Sequence, residues 1–361
     1  MPAAAETARL TYESLPGRVV FGAGSVAALP AEVERLGGRH AIVFYGLPDG
    51  ALLERLVAEL GDRHAGTIDG AVQHVPAERA AAAHERTREL GADCLVAIGG
   101  ASATGLAKAV ALETGLPILA VPTTYAGSEM TPIWGITDEA RKTTGRDLAV
   151  LPRTVIYDPE LTLTFPAEPS AASGMNAVAH CVEATWTAAA NPVSDAIAAA
   201  GIELLAAALP AIVRDPRDLP AREAALRGAW LGGTALGVAG TGLHHKICHV
   251  LGGTFDLPHA EVHAIVLPWV VEHYRTKLPP EALARVAAAL GAEDAVAGLR
   301  ALAHQTGLGA GLADFGLREE DLDLAAELAA VGAPDVPAPT GEAEIRQILA
   351  NAMGKGVRAH G

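Results

Sequence analysis

The sequence predicts an α/β nucleotide-binding domain over residues 1–160, followed by an all-helical domain over residues 161–361. Three observations carry this reading. Short apolar runs alternate with helical periods in the first half. After Pro169 the periods are helical and no convincing strand appears. Half of the 361 residues are apolar yet only 4% are aromatic, so the packing is alanine-rich and suits helices. A chain of this length is also more than one small core would need.

The elements follow in order. Arg18 to Phe21 reads as a short strand ending in Gly22-Ala23-Gly24-Ser25, with Ser25 placed to cap a helix from Val26. Ala41 to Phe44 is a second buried strand, followed by a turn over Gly46 to Gly50 and a helix to Leu60. Arg79 to Leu90 is amphipathic and leads through Gly91-Ala92-Asp93 into a strand from Cys94 to Ile98. A helix from Thr104 to Thr114 and a strand from Ile118 to Val121 come next. Strands separated by helices imply a parallel sheet covered on both faces. Beyond Asp158-Pro159 the helical stretches are Met175 to Ala190, Val193 to Leu209, Ala221 to Ala235 and His245 to Leu251. The most apolar stretch, Ala196 to Val213, contains Glu203 and Pro210. It reads as a buried helix broken at the proline, not a membrane span.

Charge and cysteine usage narrow the function classes. The formal net charge of −15 opposes nucleic acid and anionic membrane partners. Any anion site must therefore be locally positive. Cys94, Cys181 and Cys248 lack paired spacing, and no secretion signal is read before Tyr12, so reduced thiols in a cytoplasmic protein are expected.

Two loops carry the first functional signal. The strand ending at Ile98 enters Gly99-Gly100-Ala101-Ser102-Ala103-Thr104-Gly105 and then a helix. Small residues let the backbone approach a diphosphate, the helix N-terminus offers unpaired N–H groups, and Ser102 and Thr104 add hydroxyls. A tight turn with a capping serine explains the same residues. The next strand, however, ends in Pro122-Thr123-Thr124-Tyr125-Ala126-Gly127-Ser128, so two polar loops meet at one sheet edge. The spacing G-x-G-x-x-G of an ordinary dinucleotide fold is absent.

The second signal is histidine. His245 and His249 share a helix face beside Lys246, and His259 follows the Gly252-Gly253 pair, which reads as a break. Asn176 and His180 are also four apart, on a helix taken to begin at Ser173-Gly174. A lone apolar-flanked histidine is usually a core residue, but this density points to catalysis or ligand binding. His244 and His263 are not separable from core residues on sequence alone.

Together these strings resemble the iron-containing alcohol dehydrogenase superfamily, whose members pair a nucleotide-binding α/β domain like that of dehydroquinate synthase with a helical metal domain. The likeness covers most of the first 265 residues. The superfamily's metal-ligand positions fall on Asn176, His180, His245 and His259, and His249 matches a histidine near the nicotinamide. Asn176 stands where the metal-binding branch has Asp, and Gly105 where its phosphate loop has Asp. Thr104-Gly105-Leu106-Ala107-Lys108, Thr124 to Gly135, Lys142 to Asp147 and His244 to Gly253 look like the maleylacetate reductase branch instead. Ala101 departs from the usual third glycine.

The resemblance implies a reductase that uses NADH or NADPH to saturate the C=C bond of maleylacetate, a dicarboxylate, giving 3-oxoadipate in aromatic-compound degradation. His245, Lys246, His249 and His180 are the expected catalytic set. Gly99, Gly100, Ala101, Ser102, Thr104, Thr123, Thr124, Ser128 and Tyr45 are expected at the cofactor, and Arg146, Lys142 and Tyr125 at the substrate. No acidic residue stands at the end of the second strand to select between the two cofactors. The loss of a carboxylate at Asn176 disfavours a metal. Were iron or zinc held, His180, His245, His259 and Asn176 would hold it. A homodimer is the expected assembly. The alternatives are a metal-dependent alcohol or aldehyde reductase, a dehydroquinate synthase-like lyase, and a relative with a repurposed site.

Overall fold

The computed structural model describes residues 12, 14, 15, 17–70, 75–138, 141–334 and 336–354, with the side chains of 141 and 142 excepted. The leading residues, read as free of a secretion signal, lie outside them. The strands are β1 Arg18–Phe21, β2 Ala41–Tyr45, β3 His64–Asp69, β4 Cys94–Gly99, β5 Ile118–Pro122, β6 Ile133–Asp138, β7 Arg141–Arg146 and β8 Thr154–Tyr157. The helices of the first half are α1 Leu29–Arg35, α2 Gly50–Leu60, α3 Ala77–Glu89 and α4 Ala101–Thr114. Those of the second half are α5 Ala167–Ala184, α6 Pro192–Arg214, α7 Leu219–Ala239, α8 Leu243–Phe255, α9 His259–Tyr274, α10 Pro280–Ala289, α11 Ala295–Gln305, α12 Leu322–Ala330 and α13 Glu342–Ala352.

Six strands form one parallel sheet in the order β1-β8-β5-β4-β2-β3. β2, β4, β5 and β8 are buried along their whole length, as central strands covered on both faces must be. Separate apolar clusters flank the sheet. One gathers Val43, Val96, Ile98 and Val121, the other Phe44, Leu95, Leu106 and Val110. A third cluster fills the helical half and reaches back to Tyr157 at the end of β8.

Four strands escape the sequence reading. β3 is nowhere more than half-buried, β8 has only four residues, and β6 and β7 form a separate antiparallel hairpin. The proposed cap at Ser25 is replaced by another device. The Ser25 hydroxyl donates to the Tyr157 carbonyl (2.9 Å), while the Asp158 carboxylate accepts from the N–H groups of Gly24 and Val26 (3.1 Å each). That arrangement fastens the turn after β1 to the end of β8.

Helix limits differ where packing outweighs propensity. α5 begins at Ala167, one residue after Pro166, and not at Ser173, whose hydroxyl instead accepts from the Tyr125 N–H (3.0 Å). α6 runs through Pro210 to Arg214. An interior proline costs a helix roughly 3 kcal/mol. Burial of Ile202, Leu205, Leu209 and Ile212, at about 1.5–3 kcal/mol for each such side chain, offsets it. By length and composition this helix could cross a membrane, but its buried residues belong to the main core of the helical half. α8 likewise continues through Gly252-Gly253 to Phe255 and ends at Asp256 in the left-handed region (φ 54°).

The two halves meet through a close backbone contact. A Cβ at Gly233 of α7 would lie 2.1 Å from the Gly127 carbonyl oxygen in the loop after β5. Only glycine permits that approach. It seats the second polar loop on α7, which packs against the His180-bearing α5.

Candidate active site

A cleft of about 650 Å³ lies between the sheet edge and the helical half. Gly100, Ala101, Ser102, Thr124 and Ser128 line one end, and Asn176, His180, His245, His249 and His259 the other. Two separate sequence signals therefore share one cavity. Helix α4 begins at Ala101 with no side-chain cap, so its first N–H groups are offered to the cleft. That end suits a diphosphate. The paired loops are locked side by side, since the Thr123 N–H donates to the Gly99 carbonyl (3.0 Å). A Cβ at Gly100 would come 3.0 Å from Thr124.

Not every expected residue reaches the wall. Tyr125 is fully buried, and its hydroxyl is held by Arg222 (3.0 Å) and Thr162 (3.3 Å). It is a core tyrosine at the junction of the two halves, not a substrate contact. Arg146 donates to the Gly237 carbonyl of α7 (2.5 Å) and does not line the cleft. That bond braces the hairpin against α7. Tyr45 is buried at the end of β2 and bonds the Asp49 carbonyl. Lys246, Gly99, Thr104 and Thr123 do not line the cleft either. The Lys142 side chain lies outside the described ones.

His245 is aimed by a residue the sequence reading left out. Glu183 closes α5 from inside the core, fully buried, and its carboxylate accepts from His245 Nδ1 (2.5 Å) and from the N–H groups of Gly242 (2.9 Å) and His244 (2.7 Å). Burial alone would raise this carboxyl. The His245 bond and the Gly242 N–H outweigh it and hold Glu183 below 4.5. Because an ionised carboxylate only accepts, Nδ1 carries a proton and Nε2 is the atom left for the cleft. A Cβ at Gly242 would meet Glu183 Oε1 at 2.6 Å, which explains the glycine there. The sequence clue was an acid three residues after His180.

Around this pair the histidines pack closely. His180 stacks on His245 with ring centroids 4.8 Å apart and planes 19° apart. His244 Nε2 lies 2.8 Å from His263 Nδ1, and His263 Nε2 lies 3.3 Å from His259 Nε2. Burial, and then neighbouring histidines, push His180 and His263 well below 6.5. Burial likewise lowers His244, to about 3. These rings are neutral. Asn176 Oδ1, His180 Nδ1 and His245 Nε2 are buried without a hydrogen-bond partner. Three orphaned acceptors or donors at one end of a cavity call for a ligand.

Lys108, which the sequence did not mark as a site residue, is the lysine of the wall. Its ammonium donates to the carbonyls of Ser128 (2.7 Å), Thr131 (2.7 Å) and Ile133 (2.9 Å). Burial draws it down to about 7, with the Glu129 carboxylate pulling the other way. It ties α4 to the loop and hairpin on the far side of the cleft.

Comparison with known proteins fits this geometry. Residues 16–159 match the family described as iron-containing alcohol dehydrogenase, and residues 170–353 match the C-terminal part of the same family. The chain belongs to the iron-containing alcohol dehydrogenase family. It is an oxidoreductase. Within the family it is 48% identical over 347 residues to a maleylacetate reductase of Burkholderia cepacia, covering 96% of this chain and 98% of that one. The crystal structure of the maleylacetate reductase from Rhizobium sp. strain MTP-10005 superposes with a TM-score of 0.91 at 44% identity, over 96% of this chain and 98% of that one. A 1,3-propanediol oxidoreductase shares the fold at 28% identity, with a TM-score of 0.89 over 95% of this chain and all of that one.

Proposed function

We propose that the protein reduces the C=C bond of maleylacetate to 3-oxoadipate, with NADH or NADPH as reductant. The observation that carries this reading is the single cleft in which a phosphate-type helix N-terminus faces four histidines. The near-full-length maleylacetate reductase relatives support the substrate.

NADH or NADPH, when bound, would supply the hydride that the alkene carbon β to the ketone takes up. Negative charge then collects on the ketone oxygen, and the adjacent carbon takes a proton. His180 would offer a donor to that oxygen, and His245 would do so once its Nε2 carries a proton. Glu183 fixes the His245 tautomer, so any proton His245 exchanges with the cleft passes through Nε2. His249, on the same wall, completes the acid and base groups. With Arg146 and Tyr125 turned elsewhere, the substrate carboxylates depend on hydroxyls, backbone N–H groups and the Lys108 field.

The orphaned Asn176 Oδ1, His180 Nδ1 and His245 Nε2 also fit a divalent ion, with His259 beside them and Glu183 behind His245. Such an ion would polarise the ketone. All these donors are neutral, so we infer weak binding and a reaction that does not depend on it. Asp49 caps α2 through Ala51 and Leu52. Its carboxylate is thereby engaged, which is consistent with use of either cofactor. The expected homodimer belongs to the same proposal, and light scattering is its check.

The test follows oxidation of NADH and NADPH by purified protein with maleylacetate, before and after chelation. Turnover in both conditions is expected. Absence of turnover with maleylacetate, together with metal-restored reduction of simple aldehydes, would overturn the reading.

A further inference from the structure

One residue of the cleft sits in a conformation it should avoid. Val75 has φ 45°, the left-handed region, where a β-branched side chain is strained. Such strain persists only where neighbours enforce it. Here the Val75 carbonyl accepts from the Thr137 N–H of β6 (3.0 Å), and Pro76 follows, bridging to the same threonine. The side chain is only 6% exposed and packs with Leu106 and Val110. It also lines the cleft.

Across from it stands Gly105, one turn of α4 beyond Ala101 and on the same lining face. A Cβ at Gly105 would lie 2.9 Å from Val75 Cγ2. That is too close without movement, and a short β-branched side chain on a pinned backbone has little room to give. Val75 therefore occupies the space that any side chain at 105 would need.

We propose that Val75 and Gly105 form a complementary pair that sets the width of the cofactor cleft beside the phosphate loop, and so acts as a specificity determinant for the nicotinamide dinucleotide. The inference rests on the cofactor reading above. The strained valine is the filler, and the glycine is the surface it fills against. Enlarging position 105 drives Val75 into the cleft, whereas shrinking position 75 removes the conflict.

The experiment is fluorescence titration of the purified full chain with NADH. Gly105→Ala is expected to weaken binding about tenfold. The double variant Gly105→Ala with Val75→Ala should return to within about twofold of the wild type, a non-additive rescue that independent sites do not show. Val75→Gly, which adopts positive φ freely but gives up its packing on Leu106 and Val110, should bind NADH more weakly, and unchanged NADH binding by it overturns the inference. NADH binding by the wild type with no change in Gly105→Ala overturns the inference alone. So does a double variant no better than the single one. Absence of NADH and NADPH binding by the wild type overturns the cofactor reading, and the inference with it.

Discussion

His245 meets the cleft through a single nitrogen because Glu183 occupies the other. Replacing His245 by alanine should lower kcat by about 10² or more while leaving NADH affinity near its wild-type value, since acid–base groups act mainly on the chemical step. Steady-state kinetics beside NADH titration checks both halves of that expectation. Asn176 gives a second residue-level prediction. Restoring a carboxylate with Asn176→Asp should raise the metal retained after dialysis, measured as equivalents per chain, because an anion joins the neutral donors. Equal metal content in the two proteins would show that residue 176 does not control ion binding.

Contacts between elements set where those residues stand. The Gly127–Gly233 contact joins the loop after β5 to α7. Gly233→Ala inserts a Cβ at 2.1 Å from a carbonyl oxygen, an overpacking expected to cost about 1–3 kcal/mol. Thermal melting should register the loss, and the KM for NADH should rise because Thr124 and Ser128 ride on the same loop. Lys108 is the second brace, joining α4 to the hairpin segment through three carbonyls. Removing its ammonium with Lys108→Met leaves those carbonyls without their donor, and a lower melting temperature follows.

At the scale of the molecule, acid sensitivity has an identifiable source. Glu183 is held below 4.5 in the fold. Its contribution is present above that unfolded value and is lost as pH falls through the depressed folded one. The wild type should therefore lose melting temperature steeply below pH 4.5, and Glu183→Gln should start lower at pH 7 but fall less over the same range. Parallel melting curves for the two proteins would place the acid transition elsewhere. Glu32 behaves alike on a smaller scale. Burial works against its ionised form, while Arg18 and Arg35 lower it, but its partners are largely exposed and solvent screens the effect.

How much of this was legible beforehand varied with the kind of interaction. The α/β half, the helical half and the histidine grouping follow from local periodicity and small-residue loops. Their signals lie within a few residues, so the sequence alone carries them. Local pattern could not supply β3, the β6–β7 hairpin or the passage of α6 through Pro210, because partly exposed strands and proline tolerance depend on what packs alongside. The same limit applies to side-chain roles. Tyr125 and Arg146 carry groups able to bind a dicarboxylate, yet Arg222 and Gly237, 97 and 91 positions away, claim them first. Glu183 acts across 62 positions. The sequence by itself determined which chemistry the chain can assemble. Only the tertiary structure decided which atoms face the cleft, because each buried polar group must find its partner wherever the fold brings one.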